Sequence, residues 1–423
     1  MIQKLKLLKN IKSGQHKICV IPWISLNIQR TCKVFHCCLT SDFKTFAGDL
    51  AVQSMEEVWN SEVMRSIRRS MINGEEHPLC SSCYEVELHS GISTRYYNNR
   101  FSKNHLLKIP FITRPDGSVN KVNIQYWDFR FSNVCNYTCR ICSHWNSTSW
   151  IPDAKELGWY DKSSQTEPYQ KEALHRLLKW ALLPQNLKVL KKIYFSGGEP
   201  LLMDEHWQIL EALDKEKRYD VILSYNSNLG SLSYKNTSVI DYWKKWGEAI
   251  WLWPSIDEIG VRAELIRKGT DWSTVETNLK KLKETGIHIR PAITVSAMNV
   301  FRIPEIIYHL VDMGIIGITH VQEECWRNFT FNIVTDPPNM HVSVLPDEMR
   351  KNVLDKLNTF IIEYEQKHSV KIREIFNSLL WHLEKPWEKE HCEDFKKFML
   401  TLDRIRGENT LTVIPELQCV FTD

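Results

Sequence analysis

The chain has 423 residues, of which 43% are hydrophobic and 25% are charged. This composition indicates a globular protein with a sizeable core and excludes an intrinsically disordered chain. The formal net charge of +3 is nearly neutral for this length, so it gives no electrostatic case for nucleic acid as a partner.

The cysteine content sets the next expectation. The basic N-terminus lacks the apolar core of a secretory signal, and no stretch approaches the ~18 apolar residues of a spanning helix. We therefore expect a cytoplasmic protein without membrane contact, in which thiols stay reduced and clustered cysteines more often bind metal than form disulfides. The chain has 12 Cys, six within the first hundred residues and three between residues 135 and 142. Two groups predict two metal sites.

For residues 1–100 we predict a small domain whose folding is nucleated by a metal site. The pattern favours a strand over Val20–Ile28 and a helix over Ser54–Ile72. Residues 101–120 contain prolines and an Asp-Gly pair, and we interpret them as a linker.

Residues 121–325 alternate strand-like apolar runs with amphipathic helical stretches. Such alternation implies parallel strands joined by right-handed crossovers. The predicted strands are Val122–Phe131, Lys192–Ser196, Val221–Tyr225, Ile250–Ile256, Ile289–Val295 and Ile318–Gln322. Six units predict a partial (β/α)6 TIM-like barrel, with an open doubly wound sheet as the alternative layout.

Helices are predicted near residues 170–183, 204–215, 275–285 and 302–313, with Asp204 and Ser273 as N-caps for two of them. Residues 326–423 predict a mostly helical region that packs on the barrel. Its longest helix, over Asp347–Lys367, places six large apolar or aromatic side chains on one face. The fold class is therefore α/β.

A group of three cysteines follows the first barrel strand. Cys135, Cys139 and Cys142 have a CxxxCxxC spacing, which lets three thiolates converge on one cluster. Structural zinc and electron-transfer clusters usually take four protein ligands, so a set of three leaves one iron open. Active sites of barrels also gather at the C-terminal ends of strands.

A second motif follows the second strand. Ser196, Gly197, Gly198, Glu199 and Pro200 form a turn in which the glycines expose backbone and the glutamate can hold an ammonium group. Taken alone, this motif is equally compatible with an ordinary strand-to-helix turn. The two motifs in this order indicate a shared site.

CxxxCxxC after one strand and GGEP after the next closely resemble the radical S-adenosylmethionine (SAM) superfamily. The resemblance implies a [4Fe–4S] cluster on Cys135, Cys139 and Cys142, whose open iron binds SAM. The segment Ser196–Pro200 would then meet the methionine amino group. Reductive cleavage of SAM would give a 5′-deoxyadenosyl radical that abstracts a substrate hydrogen. Ile141 stands where this superfamily often has an aromatic residue beside the adenine.

Further segments resemble the superfamily at later strand ends. Asn228 lies in a TNG-like segment, and Ser255 with Asp257 lies in an SID segment. By this resemblance Ser255 and Asp257 would approach the ribose, and Arg267 would approach the methionine carboxylate. The ordinary interpretations are a surface arginine and an asparagine that caps a turn.

The N-terminal cysteines form the second group. Two separated cysteine positions and a CxxC supply four ligands, which would suit zinc as well as an iron–sulfur cluster. This region resembles a twitch domain, a shortened SPASM-like auxiliary-cluster domain, here placed before the barrel. The resemblance implies an auxiliary [4Fe–4S] cluster on Cys19, Cys37, Cys80 and Cys83, with Cys38 as the alternative to Cys37. Cys32 takes a hairpin position that is usually Gly.

The C-terminal run Leu402–Gly407 also resembles this set of radical enzymes, without a chemical role that the residues would indicate, and a helix end is its simpler interpretation. The resulting hypothesis is a radical SAM enzyme that modifies a peptide or protein side chain and takes electrons from a low-potential donor. Modification of a small molecule or nucleobase is the alternative. A non-catalytic zinc or iron–sulfur module is the third possibility.

Overall fold

The computed structural model describes residues 2–90, 93–160, 167–317, 329–386 and 388–421. Within it the chain forms two compact units. Unit 1 comprises Met1–Ser132, Gln165–Ser196 and Gln208–Leu223, and unit 2 comprises Asn133–Ser164, Gly197–Trp207 and Ser224–Asp423.

Unit 1 contains a sheet with helices in the connections. Its complete elements are α1 (Ile2–Lys12), α2 (Ile21–Ile24), β1 (Ser25–Ile28), β2 (Lys33–Phe35), β3 (Gly48–Asp49), α3 (Met55–Trp59), α4 (Glu62–Asn73), α5 (Ser81–Ser90), α6 (Thr94–Phe101), α7 (Lys103–Leu106), α8 (Ile109–Ile112), β4 (Tyr126–Phe129), α10 (Pro168–Ala181), α11 (Pro184–Val189) and β6 (Lys192–Phe195). The strand order is β6-β4-β1-β2-β3. Strand β4 runs parallel to β1 and β6, whereas β2 is antiparallel to β1 and β3.

The N-terminal region thus adds a parallel strand to the sheet. Leu26 pairs with Trp127, and both side chains are fully buried. Between β1 and β2 the chain turns at Cys32, which has a left-handed φ of 64° where glycine would be unstrained. The turn is nevertheless closed by Cys32 N–H donating to the Gln29 carbonyl at 2.8 Å.

Two expectations for unit 1 need correction. The strand predicted over Val20–Ile28 begins only at Ser25, because Pro22 occupies the first turn of α2, where its fixed φ suits a helix. The helix predicted over Ser54–Ile72 is two helices, since Ser54 caps α3 and Ser61 caps α4. The stretch interpreted as a linker, residues 101–120, carries α7 and α8.

Unit 2 holds the remaining complete elements. They are β5 (Thr138–Cys139), α9 (Ile151–Glu156), β8 (Ser233–Tyr234), β9 (Thr237–Ser238), α13 (Val239–Trp246), β10 (Ile250–Pro254), α14 (Gly260–Ile266), β11 (Arg267–Lys268), α15 (Trp272–Lys283), β12 (His288–Ile289), β13 (Ala292–Val295), α16 (Ile303–Asp312), β14 (Thr330–Ile333), α17 (Asp347–His368), α18 (Arg373–Leu383), α19 (Lys389–Arg406), α20 (Thr410–Val413) and α21 (Gln418–Phe421). Strands β10 and β12 pair in parallel, as do β13 and β14.

Two elements, α12 (Asp204–Lys215) and β7 (Ile222–Ser227), have residues in both units. The chain is therefore mixed α/β, with largely parallel strand pairing that is consistent with a partial barrel. Five of the six predicted barrel strands are confirmed, in shortened or shifted form, and the four predicted helices are confirmed. The sixth strand, Ile318–Gln322, lies outside the described residues.

The N-cap of α15 is Asp271, whose carboxylate accepts from the backbone N–H groups of Ser273 and Thr274, so the assignment to Ser273 was wrong. Asp204 is the first residue of α12, and its carboxylate accepts from Tyr234 and Lys235.

The C-terminal region is mostly helical, as predicted. In α17 the side chains of Val353, Leu357, Phe360, Ile361 and Tyr364 are buried on one face. None of the helices within the described ranges is both long and apolar enough to cross a membrane.

Candidate active site and auxiliary metal site

The residues Asn133–Cys142, here called the cysteine loop, lie in unit 2 and carry three of the predicted ligands. Within the loop, β5 pairs antiparallel with β11, which places Cys139 opposite Arg267. The pairing continues through the Arg140 backbone N–H, which donates to the Ile266 carbonyl at 2.7 Å. The loop is therefore fixed to the strand that carries a predicted SAM contact.

The carbonyls of the cysteine loop are held by the segment that follows it. Ser149 Oγ donates to the Cys135 carbonyl at 2.7 Å, and Ser147 Oγ donates to the Tyr137 carbonyl at 2.6 Å. The indole of Trp150, which is fully buried, donates to the Cys139 carbonyl at 2.9 Å. Because alternate carbonyls are occupied in this way, side chains fix the loop conformation in addition to the short pairing of β5 with β11.

The three thiols of the loop interact electrostatically, and Cys139 is buried whereas Cys135 and Cys142 are half-buried. Burial raises the pKa of Cys135, raises that of Cys139 to about 11 and raises that of Cys142 to about 12. The Cys135 thiolate raises the pKa of Cys139 further, and both of these thiolates raise that of Cys142. Glu199 raises the pKa of Cys135, whereas the Arg267 guanidinium lowers the pKa of all three thiols. The free thiols would therefore stay protonated at neutral pH, and a bound metal would have to deprotonate them.

The second motif packs directly on the cysteine loop. Gly197 has a φ of 106°, which favours glycine, and a Cβ on Gly198 would lie 2.1 Å from the Val134 carbonyl oxygen. The Glu199 backbone N–H donates to that same oxygen at 2.7 Å. Residues 197–200 all belong to unit 2, whereas Ser196 ends a segment of unit 1.

Glu199 is a buried carboxylate held by three donors. It accepts from the Asn228 backbone N–H at 2.7 Å, from Ser227 Oγ at 2.9 Å and from the Leu201 backbone N–H at 3.3 Å. Burial raises the pKa of Glu199 to about 7, and these hydrogen bonds oppose the rise. Its charge is therefore sensitive to a cation that approaches it.

Asn228 connects this carboxylate to the cysteine loop. Its side-chain amide donates to Asn136 Oδ1 at 2.8 Å, and the same nitrogen lies 4.0 Å from Cys135 Sγ. Ser255 continues strand β10 through a parallel bridge to Ala292, and its N–H donates to the Ser227 carbonyl.

Asp257 and Arg267 form a buried ion pair. Asp257 Oδ2 lies 2.7 Å from Arg267 Nη1, and Oδ1 accepts from the Thr294 N–H at 2.7 Å. Although burial opposes the charge of Arg267, its pKa is raised by Cys139, Asp257 and Cys135. The Arg267 guanidinium therefore interacts electrostatically with the thiols of Cys139 and Cys135. Both carboxylate oxygens of Asp257 already accept from protein donors.

In the described part of the chain, no three His, Cys, Asp or Glu side chains converge on a point where one metal ion could bind. A [4Fe–4S] cluster does not need such a point, because each thiolate binds a different iron. The coupled thiols, with the Asn228 amide at their edge, offer donors of the right chemistry for a cluster.

A second group of thiols lies in unit 1. Cys19, Cys80 and Cys83 interact electrostatically, and burial raises the pKa of each, that of Cys80 to about 12. Asn99 fixes the backbone around Cys19, because its amide accepts from the Val20 N–H and donates to the Ile18 carbonyl.

The hairpin cysteines have different surroundings. Cys37 Sγ accepts from the Leu39 N–H at 3.4 Å and is hydrogen-bonded to Cys38. This bond and burial raise the pKa of Cys38. The charge of Asp128 raises it further, and the charge of Arg130 lowers it. The neighbouring His36 contacts one thiol of the other group, with Nε2 3.4 Å from Cys80 Sγ.

Several of these supporting residues were missed from the sequence. Asn99 and His36 carry no motif of their own. The run of short hydroxyl side chains at residues 147–149 is a detectable signal, since such residues favour bonds to nearby backbone.

Comparison with protein families identifies the class. Residues 129–305 match the model described as the radical SAM superfamily. The match covers about two fifths of the chain and identifies these residues as a radical SAM region. Residues 19–84 match SPASM, described as an iron–sulfur cluster-binding domain, so the chain carries a SPASM- or twitch-type region before the radical SAM region. The superfamily binds SAM together with a [4Fe–4S] cluster.

Among curated proteins, none matches the chain significantly. Solved structures with detectable similarity include native anSMEcpe with bound AdoMet, with 16% identity, coverage of 57% of this chain and 60% of that chain, and a TM-score of 0.36. Streptococcus suis SuiB bound to precursor peptide SuiA has 14% identity, coverage of 83% and 72%, and a TM-score of 0.37. The chain spans about three fifths of the length of anSMEcpe. TM-scores this low support no statement about the substrate.

Proposed function

We propose that this enzyme reductively cleaves SAM at a [4Fe–4S] cluster on Cys135, Cys139 and Cys142, and that it modifies a peptide or protein side chain. The observation that carries the proposal is the packing of Gly198 and Glu199 on the Val134 carbonyl, which joins the GGEP turn to the cysteine loop. This packing supports a single site built from two motifs that are distant in sequence.

When bound, the cluster supplies the electron that cleaves SAM and yields a 5′-deoxyadenosyl radical for hydrogen abstraction. The chain's own residues bind and orient the cofactor. Glu199 and the backbone of Gly197–Pro200 would hold the methionine ammonium, because a buried carboxylate gains a charge partner there. Arg267 would bind the methionine carboxylate. Its Asp257 partner orients the guanidinium at 2.7 Å.

The same proposal includes contacts of the chain with the ribose of SAM. Ser255 and Asn228 are the candidates with polar side chains near the strand ends. Asp257 would act mainly through Arg267, since its oxygens already accept from Arg267 and the Thr294 N–H.

We further propose an auxiliary [4Fe–4S] cluster on Cys19, Cys37, Cys80 and Cys83. The family match over residues 19–84 supports an iron–sulfur domain there. Cys37 is preferred over Cys38, because Cys38 lies with the charged Asp128 and Arg130. The proposed domains are residues 1–100 for the auxiliary domain, 101–120 for a connecting segment, 121–325 for a partial (β/α)6 barrel and 326–423 for a helical extension.

The proposed substrate class follows from the auxiliary domain, because relatives with such domains often modify peptides. A low-potential protein would donate the electrons. The test is co-expression with a short peptide encoded beside this chain, followed by mass spectrometry. A mass change that requires SAM and Cys139 supports the peptide assignment. A small-molecule or nucleobase product with an unchanged peptide would overturn it.

Metal content tests the enzyme assignment itself. Anaerobically purified protein should absorb broadly near 400 nm, bleach with dithionite and carry about eight iron per chain. Colourless protein with two zinc ions would contradict both cluster assignments.

A further inference from the structure

The C-terminal run Leu402–Gly407 ends helix α19 and leads into a charged turn. Gly407 caps the helix in the left-handed conformation, and the Glu408 N–H donates to the Asp403 carbonyl at 2.9 Å. Asp403 Oδ2 accepts from the Thr410 N–H at 2.7 Å, which closes the turn. We call the residues Asp403, Arg406, Glu408 and Thr410 the C-terminal clamp.

Arg140 of the cysteine loop reaches into this clamp. Its side chain is fully buried, and Nη2 lies 2.6 Å from both Asp403 Oδ1 and Glu408 Oε2. Nη1 donates to Thr410 Oγ1 at 3.2 Å. Arg140 stands between two predicted cluster ligands. It is held by residues that follow it in the sequence by 263 and 268 positions.

The clamp binds two further elements around the cysteine loop. Lys268, the neighbour of Arg267 on β11, lies 2.9 Å from Glu408 Oε1. Arg406 pairs with Asp153 at 2.7 Å and lies over the ring of Trp150, the residue that donates to the Cys139 carbonyl.

The charges of this group pair with one another. Arg140 and Lys268 face Asp403 and Glu408, and Arg406 faces Asp153. Burying such a network costs desolvation that an apolar core would avoid, so it adds little to stability by itself. A network of this kind fixes geometry instead, because the rigid guanidinium donates its N–H groups in set directions and the carboxylates must lie along them.

We propose that Arg140 is a positioning residue for the cluster, and that the C-terminal clamp holds the cysteine loop, through Arg140, in the conformation that retains iron. This inference rests on the proposed assignment of the cluster to Cys135, Cys139 and Cys142. It gives the C-terminal run a role beyond that of a helix end.

The test measures the rate of iron loss to a chelator from the reconstituted full-length protein. The variant Arg140→Met alone leaves the half-buried carboxylates of Asp403 and Glu408 short of a partner and risks misfolding. The decisive protein is therefore Arg140→Met combined with Asp403→Asn and Glu408→Gln, which removes the charges together. It should melt near the wild-type temperature by circular dichroism yet lose the iron of the SAM site about 10- to 100-fold faster, the range typical when supporting partners of metal ligands are lost.

Arg404→Met is the matched control, because Arg404 is an exposed arginine on the same helix. It should lose iron at the wild-type rate. If the triple variant does not fold, Arg140→Lys is the deciding variant, since lysine keeps the charge but lacks the rigid guanidinium plane and the separate Nη1 donor to Thr410. Its rate should exceed that of the wild type. If the triple variant folds and loses iron at the wild-type rate, the proposal is overturned. If the triple variant does not fold, iron loss at the wild-type rate in Arg140→Lys overturns it.

The cluster assignment fails in a different way. If Cys139→Ala retains all of the iron, the cluster is not held by this loop, whatever Arg140 does. If Cys139→Ala loses about half of the iron while the clamp variants behave as the wild type, only the clamp proposal is wrong.

Discussion

Adding one methyl group at Gly198 should separate the two halves of the candidate active site. The new Cβ would lie 2.1 Å from the Val134 carbonyl oxygen and 2.7 Å from the Asn133 carbonyl carbon, both of them backbone atoms that no rotamer change can move. Ordinary contact begins at 3.4 Å, so the cysteine loop would have to shift by 1.3 Å. Such overpacking costs about 1–3 kcal/mol, and loss of the Glu199 hydrogen bond adds about 1 kcal/mol.

We therefore expect Gly198→Ala to lower the free energy of unfolding by about 2–4 kcal/mol in urea titrations. We also expect it to reduce both the iron retained at the SAM site and the affinity for SAM. Gly286→Ala is the control, because Gly286 has a φ of 74° and nothing within 4 Å of an added Cβ. That variant should lose about 1–2 kcal/mol through backbone strain and keep its iron. Wild-type stability and iron content in Gly198→Ala would refute the packing argument.

Three further predictions concern buried polar groups. Asp257→Asn leaves the buried Arg267 without its carboxylate, so we expect a loss of about 3–5 kcal/mol in urea titrations, and unchanged stability would contradict the ion pair. His341 and His382 have pKa values lowered to about 4 and about 3, chiefly by burial, and their rings are hydrogen-bonded at 2.7 Å. The unfolded chain takes up their protons first, so stability should fall as pH drops from about 6.5 to 4, by up to about 1.4 kcal/mol per pH unit for each ring. The control is the double variant His341→Phe with His382→Leu. If its free energy of unfolding has the same pH slope as that of the wild type, the two histidines are not the cause. His36→Leu removes the imidazole whose Nε2 lies 3.4 Å from Cys80 Sγ. A cluster-bound Cys80 thiolate would accept the Nε2 N–H, so redox titration of the variant should give a lower potential for the auxiliary cluster and an unshifted potential for the SAM cluster. An unchanged auxiliary potential would count against that hydrogen bond.

The regular part of the fold could be predicted because its signals are local. Apolar runs near residues 192 and 250 gave strands, and the spacing along α17 gave a helix. Local rules failed where a competing residue acted. Pro22 began a helical turn inside a predicted strand, and Ser61 divided a continuous amphipathic pattern. Asp271 capped α15 two residues before Ser273.

The candidate site was only partly predictable for a related reason. Cysteine spacing and the GGEP turn are contiguous motifs, so the residues that would hold metal and SAM could be named. The residues that support them come from distant parts of the chain. Neither the hold of Asp403 on Arg140 nor the contact of His36 with Cys80 leaves a spacing pattern in the sequence.

The most direct measurement compares Cys139→Ala with Cys392→Ala, in which a buried cysteine of α19 is changed instead. Anaerobic iron analysis and a dithionite-driven assay for 5′-deoxyadenosine should show that the first variant keeps about half of the iron and cleaves no SAM. The second should match the wild type in both respects. Detectable SAM cleavage by Cys139→Ala would contradict the three-thiolate site on which the account depends.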